Sequence, residues 1–89
     1  MAKVTTVRRD LELPFQRLEE ETIVVDPRTR QVHLLNDTAA HVWELLATPR
    51  SIEELVAALG EEYDAPADEL NAAVVELLED FGQKGLLAA

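Results

Sequence analysis

The segment from residue 22 to residue 46 constrains the fold of this 89-residue chain more than any other part of it. Two apolar runs, 22–26 and 31–35, flank a turn that contains Pro27. The first run is rich in β-branched residues, which favour strands, and Pro27 fixes φ at the start of the turn. Asn36 follows the second run, and its side-chain oxygen can cap a helix. The segment therefore predicts a β-hairpin that leads directly into an amphipathic helix.

Helical spacing and capping signals predict three helices after the hairpin. The first is predicted over about 37–47, where apolar residues recur at helical spacing. Ser51 and Glu54 form a capping-box pattern, which predicts a second helix over about 52–62. A third helix is predicted over about 66–84, because it opens on a proline whose missing N–H costs nothing in the first turn.

The predicted fold class is α+β, a winged-helix-like arrangement of a three-stranded antiparallel sheet followed by three helices. The first strand is predicted over 15–18, where apolar and polar residues alternate. Residues 1–14 are weakly patterned, and we expect them to form either an edge strand or an arm. A chain of this length has room for one domain, which we expect to span residues 1–89.

The residue types that carry chemistry are scarce. The sequence contains no cysteine, which excludes disulfides, thiolate catalysis and cysteine-based metal sites. The two histidines, His33 and His41, match no metal-binding spacing. Thr38 and Ser51 stand at helix starts, and neither is accompanied by the His–acid pair that activates a nucleophile. We therefore expect no enzyme activity, no metal and no cofactor.

Hydropathy gives no sign of a membrane protein. No apolar run approaches the roughly 18 residues that a membrane-spanning helix needs. The first residues also lack the apolar core of a signal peptide. We therefore expect a cytoplasmic protein that makes no membrane contact.

Charge is distributed unevenly along the chain. Residues 51–89 contain one Lys and ten Asp and Glu, so they carry a net charge of −9 out of −10 for the whole chain. This excess of acid either serves solubility alone or attracts a basic partner segment. It disfavours a winged-helix DNA-binding regulator, because Lys and Arg supply the affinity for phosphates. We therefore expect no nucleic-acid partner.

The third predicted helix has two apolar stripes, where an ordinary surface helix has one. At about 100° per residue, one stripe is the predicted core face. Its members are Leu70, Val74, Leu77 and Phe81. The second stripe lies about 100° round the helix from it. Its members are Asn71, Val75, Leu78 and Gly82. Either this helix is more deeply buried than usual, or the second stripe is the wall of an apolar groove.

The sequence of the Asp26–Thr29 turn, together with Leu35-Asn36 at the start of the helix, resembles that of a known family, the PqqD-like proteins. These are also called RiPP recognition elements. The resemblance covers about residues 15–87. It implies a non-catalytic adaptor that binds the leader segment of a ribosomally made precursor peptide. The adaptor would present that peptide to a modifying enzyme, so the implied partners are the precursor peptide and this maturase.

The resemblance also implies where the peptide binds. In PqqD-like proteins the leader resembles an added strand, which pairs with the edge of the third strand in the cleft against the third helix. Carried onto this chain, the implied peptide-binding residues are Gln31, Val32, His33, Leu34, Leu35, Asp68, Asn71, Val75, Leu78 and Glu79. A structural or dimerisation module without a peptide ligand stays open as an alternative, because an open strand edge would serve a homodimer equally well.

Overall fold

The computed structural model describes residues 5–88, which form one three-stranded antiparallel sheet and three helices. The strands pair in the order β1-β2-β3, so β2 is central. The elements in chain order are β1 (Phe15–Arg17), β2 (Thr22–Asp26), β3 (Gln31–Leu35), α1 (Asp37–Leu45), α2 (Ile52–Glu62) and α3 (Ala67–Gln83). The predicted fold class, with the sheet first and the helices after it, is confirmed.

Local side-chain chemistry sets the helix ends. Asn36 Oδ1 accepts a hydrogen bond from the Ala39 N–H at 3.0 Å and so caps α1. Ser51 and Glu54 form the full capping box of α2, with bonds of 2.9 and 3.1 Å. After α3, Gly85 has φ 73°, a conformation that glycine adopts without the cost that a Cβ would bring. These three positions are therefore fixed by their own sequence neighbourhood.

The segment before β1 is an irregular arm that crosses the helical layer. It makes two isolated antiparallel bridges, Val7 with Arg50 and Arg9 with Leu87. Its last apolar residue, Leu13, is buried in the core. The described part of the segment therefore contacts both the α1–α2 connection and the C-terminal segment. Met1–Val4 lie outside the described residues.

Trp43 of α1 lies at the centre of the core and is fully buried. Its ring makes edge contacts with Phe15 and Phe81, at centroid distances of 5.9 and 6.1 Å. The Arg9 guanidinium lies 5.2 Å from the Trp43 ring centroid and donates a hydrogen bond to the Trp43 carbonyl at 3.0 Å. One aromatic cluster thus connects β1, α1, α3 and the N-terminal arm.

The sheet has one covered face and one open face. Val24 and Leu35 point to the helices and are buried. Val25, Val32 and Leu34 point away from the helices and are exposed. The sheet and the helices therefore form two layers, and within residues 5–88 no element packs on the outer face of the sheet.

Candidate functional site

The free edge of β3 is the first component of the candidate site. β3 pairs with β2 on one side, and no strand of the described residues pairs with its other side. An unpaired strand edge offers a row of N–H and C=O groups to an additional strand. The prediction that this strand lies at an edge of the sheet is therefore confirmed.

The hydrogen-bond pattern shows which backbone groups of β3 point outwards. The Val25 N–H donates to the Pro14 carbonyl at 2.9 Å, so the backbone groups of Val25 face β1 and not β3. Val25 is opposite Val32 in the β2–β3 register, which makes this pair a non-hydrogen-bonded one. Alternate residues then point their groups to opposite edges, and Val32 and Leu34 present theirs at the free edge. Two N–H donors and two C=O acceptors are thus directed at an incoming strand.

The side chains of β3 differ between the two faces. Val32 and Leu34 lie on the outer face, where 64% and 59% of each residue is exposed. Leu35 is buried on the helix side, and Gln31 is exposed beside the hairpin turn. His33 is half-buried on the helix side, and its Nε2 is buried with no hydrogen-bond partner among residues 5–88. The strand therefore carries apolar side chains on both faces.

A cavity of about 540 Å³ lies where β3 ends and α1 begins, between that point and α3. We name it the α1–α3 cavity. Asn36 and Thr38 form its α1 side. Its α3 side is formed by Ala73, Glu76, Leu77, Glu79, Asp80 and Gln83. Because Asn36 follows Leu35 directly, the cavity begins at the end of the free edge.

The residues predicted on α3 fall on two sides of that helix. Glu79 lines the α1–α3 cavity, whereas Asp68 is exposed in the first turn and does not line it. Val75 lies about 160° round the helix from Ala73 and about 40° from Glu79 by the 100° step per residue, and it does not line the cavity. Leu78 is half-buried and packs against the core. Asn71 is exposed on the same flank as Val75.

One member of the second stripe, Gly82, lies beside the C-terminal segment. A Cβ added to Gly82, a member of that stripe, would lie 4.0 Å from Leu87 Cδ1. Sequence reasoning missed Ala73, Leu77 and Asp80 as lining residues because it placed Leu77 in the core and took the polar flank as solvated. The sequence offered no signal for this flank, because Ala73 follows the equally small Ala72.

A second cavity, of about 360 Å³, lies between the β1–β2 turn, α1 and the end of α2. It is lined by Glu19, Glu20, Glu21, Asp37, Glu44, Glu62, Arg17, Ala40, His41 and Tyr63. Arg17 pairs with Glu44, and the Tyr63 hydroxyl donates to Asp37 Oδ2 at 3.3 Å. Burial raises the pKa of Tyr63, so the phenol stays neutral. In the part of the chain that the structure describes, no group of three His, Cys, Asp or Glu side chains could hold a metal ion.

The hairpin turn is fixed to the rest of the molecule by Arg28. Its N–H and Nε donate to Asp26 Oδ1 at 2.9 and 3.2 Å. Its other end reaches Asp10 Oδ2 and the Gly85 carbonyl, each at 3.4 Å. Burial acts to raise the pKa of Asp26, but the hydrogen bonds and charge of Arg28 outweigh it, and the pKa lies below its ordinary value. These contacts hold the start of β3 beside the end of α3.

A match to a protein-family model covers nearly all of these elements. Residues 21–87 match the family described as coenzyme PQQ synthesis protein D (PqqD). The chain belongs to the PqqD family. The match begins one residue before β2 and ends in the C-terminal segment after α3, so it includes the hairpin, the cavity and all three helices. No curated protein matches the chain.

Solved structures share the PqqD-family fold along almost the whole chain. TbiB1 in complex with the TbiA(beta) leader peptide is 20% identical, with a TM-score of 0.83 over 92% of this chain and 95% of that chain. Lasso peptide synthetase B1 complexed with its leader peptide is also 20% identical, with a TM-score of 0.81 over 93% of this chain and 98% of that one.

A third similar structure is the PqqD truncation of Methylobacterium extorquens PqqCD, a stand-alone RiPP recognition element. It is 21% identical, with a TM-score of 0.76 over 94% of this chain and 89% of that one. At this level of identity the three likenesses establish the fold. Separately, none of the helices within residues 5–88 has the length and apolar character to cross a membrane.

Proposed function

We propose that this chain binds the leader segment of a ribosomally made precursor peptide and presents it to a peptide-modifying enzyme. The observation that carries the proposal is the free edge of β3, where Val32 and Leu34 direct their backbone groups outwards next to the α1–α3 cavity. Two proteins with the same fold, TbiB1 and lasso peptide synthetase B1, were solved with leader peptides bound.

Strand addition suits a partner that has no fold of its own. Backbone hydrogen bonds along 31–35 supply affinity for any extended peptide, and side-chain pockets supply specificity. Ordering the peptide costs conformational entropy, so apolar contacts must offset that cost. Ala73 and Leu77 provide apolar surface in the α1–α3 cavity, at the end of the same edge.

The acids on α3 favour a leader with a basic residue near the cavity. Glu76, Glu79 and Asp80 line it, and Lys84 offsets part of the charge through its pair with Asp80 at 2.9 Å. Exposed charges of this kind act mostly by accelerating encounter between the partners. Asp68, which is also exposed, adds to the same negative field at the start of α3.

The peptide-binding residues proposed from sequence stay in the proposal as two groups. The first is the whole of β3, 31–35, which provides the edge. The second is on α3, where Glu79 lines the cavity, whereas Asn71, Val75 and Leu78 do not line it and form the alternative wall. We propose the cavity flank as the peptide-facing wall, because it begins where the edge of β3 ends.

We further propose that the chain has no catalytic step of its own and acts as a cytoplasmic adaptor. The hydroxyl that stood out in the sequence, that of Ser51, accepts from the Glu54 N–H and serves the start of α2. Thr38 lies at the α1 side of the cavity, two residues after the Asn36 cap. Chemistry on the peptide would then be supplied by the modifying enzyme.

A proline substitution tests the proposal, because it removes one N–H donor from the free edge of β3 and leaves the hydrogen bonds between β2 and β3 in place. Val32→Pro deletes an N–H that makes no bond to β2, and proline is tolerated at such edge positions. Binding of a synthetic precursor peptide from the reading frame beside this gene should weaken by about tenfold or more, since one edge hydrogen bond and its register are lost. Calorimetry measures the affinity, and circular dichroism checks the fold.

The contrast variant is His33→Pro, which removes an N–H directed at β2. It should unfold or strongly destabilise the hairpin, because it removes a hydrogen bond within the sheet. If Val32→Pro stays folded and binds the peptide as the wild-type chain does, strand addition at this edge is wrong. If the wild-type chain dimerises through this edge and does not bind the peptide, the dimerisation alternative replaces the proposal.

A further inference from the structure

The outer face of the sheet carries an apolar strip that the proposed cleft against α3 does not use. Its members are Ile23, Val25, Val32 and Leu34, which we name the outer strip. Exposure rises towards the free edge, from 38% at Val25 on the central strand to 64% at Val32 on β3. The strip is therefore most open at the position where an added strand would lie.

β3 also lacks the features that usually protect an edge strand. Natural sheets blunt their edges with lysine, proline, bulges or inward-pointing charges. The five residues Gln31–Leu35 contain no lysine, no proline and no acidic residue, and they pair with β2 in a regular register without a bulge. An edge that is unprotected and apolar on its outer side is suited to being covered by another strand.

The geometry of a sheet decides which residues of that strand meet the outer strip. Neighbouring residues on adjacent strands point their side chains to the same face of the sheet. Residues of an added strand beside Val32 and Leu34 therefore point outwards, next to the most exposed part of the outer strip. The residue between them, beside His33, points to the helix side.

We propose that the leader peptide is recognised on both faces of the sheet. It carries β-branched or aromatic residues beside Val32 and Leu34, which pack against the β3 side of the outer strip. The intervening residues face the α3 side. This inference rests on the proposed function, and it defines the substrate class as a leader whose bound stretch is apolar at consecutive positions.

The protein-side test changes the outer face and keeps every backbone donor. Val32→Thr and Leu34→Thr replace apolar surface with a residue that also favours strands. Each should weaken binding of the synthetic precursor peptide by about fivefold, as expected from losing one or two buried methyl groups. Val25→Thr is the matched control, because it lies on the same face but one strand away from the added peptide. It should change the affinity by less than about twofold.

The peptide-side test replaces each residue of the bound stretch with serine in turn. Recognition on both faces predicts that consecutive positions are sensitive. Recognition on the α3 side alone predicts sensitivity at every second position, and that result would overturn the inference. Equal affinity of the wild-type chain, Val32→Thr and Leu34→Thr would overturn it as well.

These outcomes separate the inference from the proposed function. Loss of binding in Val32→Pro with full binding in Val32→Thr retains strand addition and rejects the outer-face contact. An absence of peptide binding to the wild-type chain rejects both. Sedimentation of the free protein tests the alternative that a second copy of this chain binds the outer strip. The protein would then be a dimer, Val32→Thr would dissociate it, and the peptide would not. That result would overturn the inference.

Discussion

Single side chains hold the edge strand in place, and Arg28 is one of them. Its contacts with Asp26, Asp10 and Gly85 connect the hairpin turn to the N-terminal arm and to the end of α3. Asp26 is 2% exposed, so its carboxylate depends on those hydrogen bonds to offset its burial. The contacts of the hairpin turn with the N-terminal arm and with Gly85 therefore depend on an ionised Asp26.

Asp26→Asn is expected to lower the free energy of unfolding at neutral pH, and the loss should shrink as the pH falls. The folded-state pKa of Asp26 lies below its ordinary value, so its contribution is complete above the unfolded pKa of about 3.9. That contribution is lost as the pH falls through the folded-state pKa. Urea unfolding of the wild-type chain and of Asp26→Asn, at about pH 7 and at about pH 3, measures the free energy of unfolding under both conditions. Glu53→Gln, an exposed carboxylate on α2, is the control.

A constant effect of Asp26→Asn across that pH range would show that the ionised carboxylate is not what holds the turn.

The residue scale also shows which details the sequence reveals. Asn36, Ser51 and Gly85 were predictable because each acts on groups within a few residues of itself. The stacking of Arg9 on Trp43 was not, because the two residues lie 34 positions apart. The burial of Leu13 was not predictable either, because it depends on a core assembled from several elements. Local chemistry is visible in a sequence, whereas contacts between distant segments are not.

At the scale of elements, α3 was predicted as a helix but its orientation was not. The core residues Leu70, Val74 and Phe81 were correctly identified from their period. Periodicity says which residues share a face, but it does not say on which flank β3 lies. The α1–α3 cavity lies on the flank of α3 that carries Ala73 and Leu77, whereas Gly82 of the second stripe lies near Leu87.

Ala73→Glu is expected to weaken precursor-peptide binding by about tenfold or more, because the longer charged side chain fills the space beside Leu77, one of the two apolar residues of the α1–α3 cavity. This loss exceeds the gain in encounter rate from one more exposed acid. Fluorescence anisotropy with the labelled synthetic precursor peptide measures the affinity. Ala57→Glu is the matched control, since Ala57 lies on α2, is exposed, lines neither cavity and undergoes the same change of charge. It should leave the affinity within about twofold of the wild-type value.

Asn71→Glu and Leu78→Asp probe the second stripe in the same assay. If they weaken binding while Ala73→Glu does not, the peptide lies against the second stripe and the assignment of the cavity flank is wrong. Leu78→Asp should also reduce stability, because Leu78 packs against the core.

At the scale of the whole molecule, the two layers leave one sheet edge and one sheet face open. The helical layer provides the core and the excess negative charge, while the hairpin provides the surface for a partner. A net charge of −10 does not suit a phosphate-rich partner, but it suits an extended peptide with basic residues. Fold, charge and open edge therefore favour the same class of partner.

Backbone amide exchange of β3, followed by NMR with and without the synthetic precursor peptide, tests strand addition most directly. In the free protein, the amides of Val32 and Leu34 should exchange fast and that of His33 slowly, because the His33 N–H is directed at β2 and the other two are directed at the free edge. With peptide bound, Val32 and Leu34 should become protected by at least about tenfold. A bound peptide that leaves both rates unchanged would contradict the account.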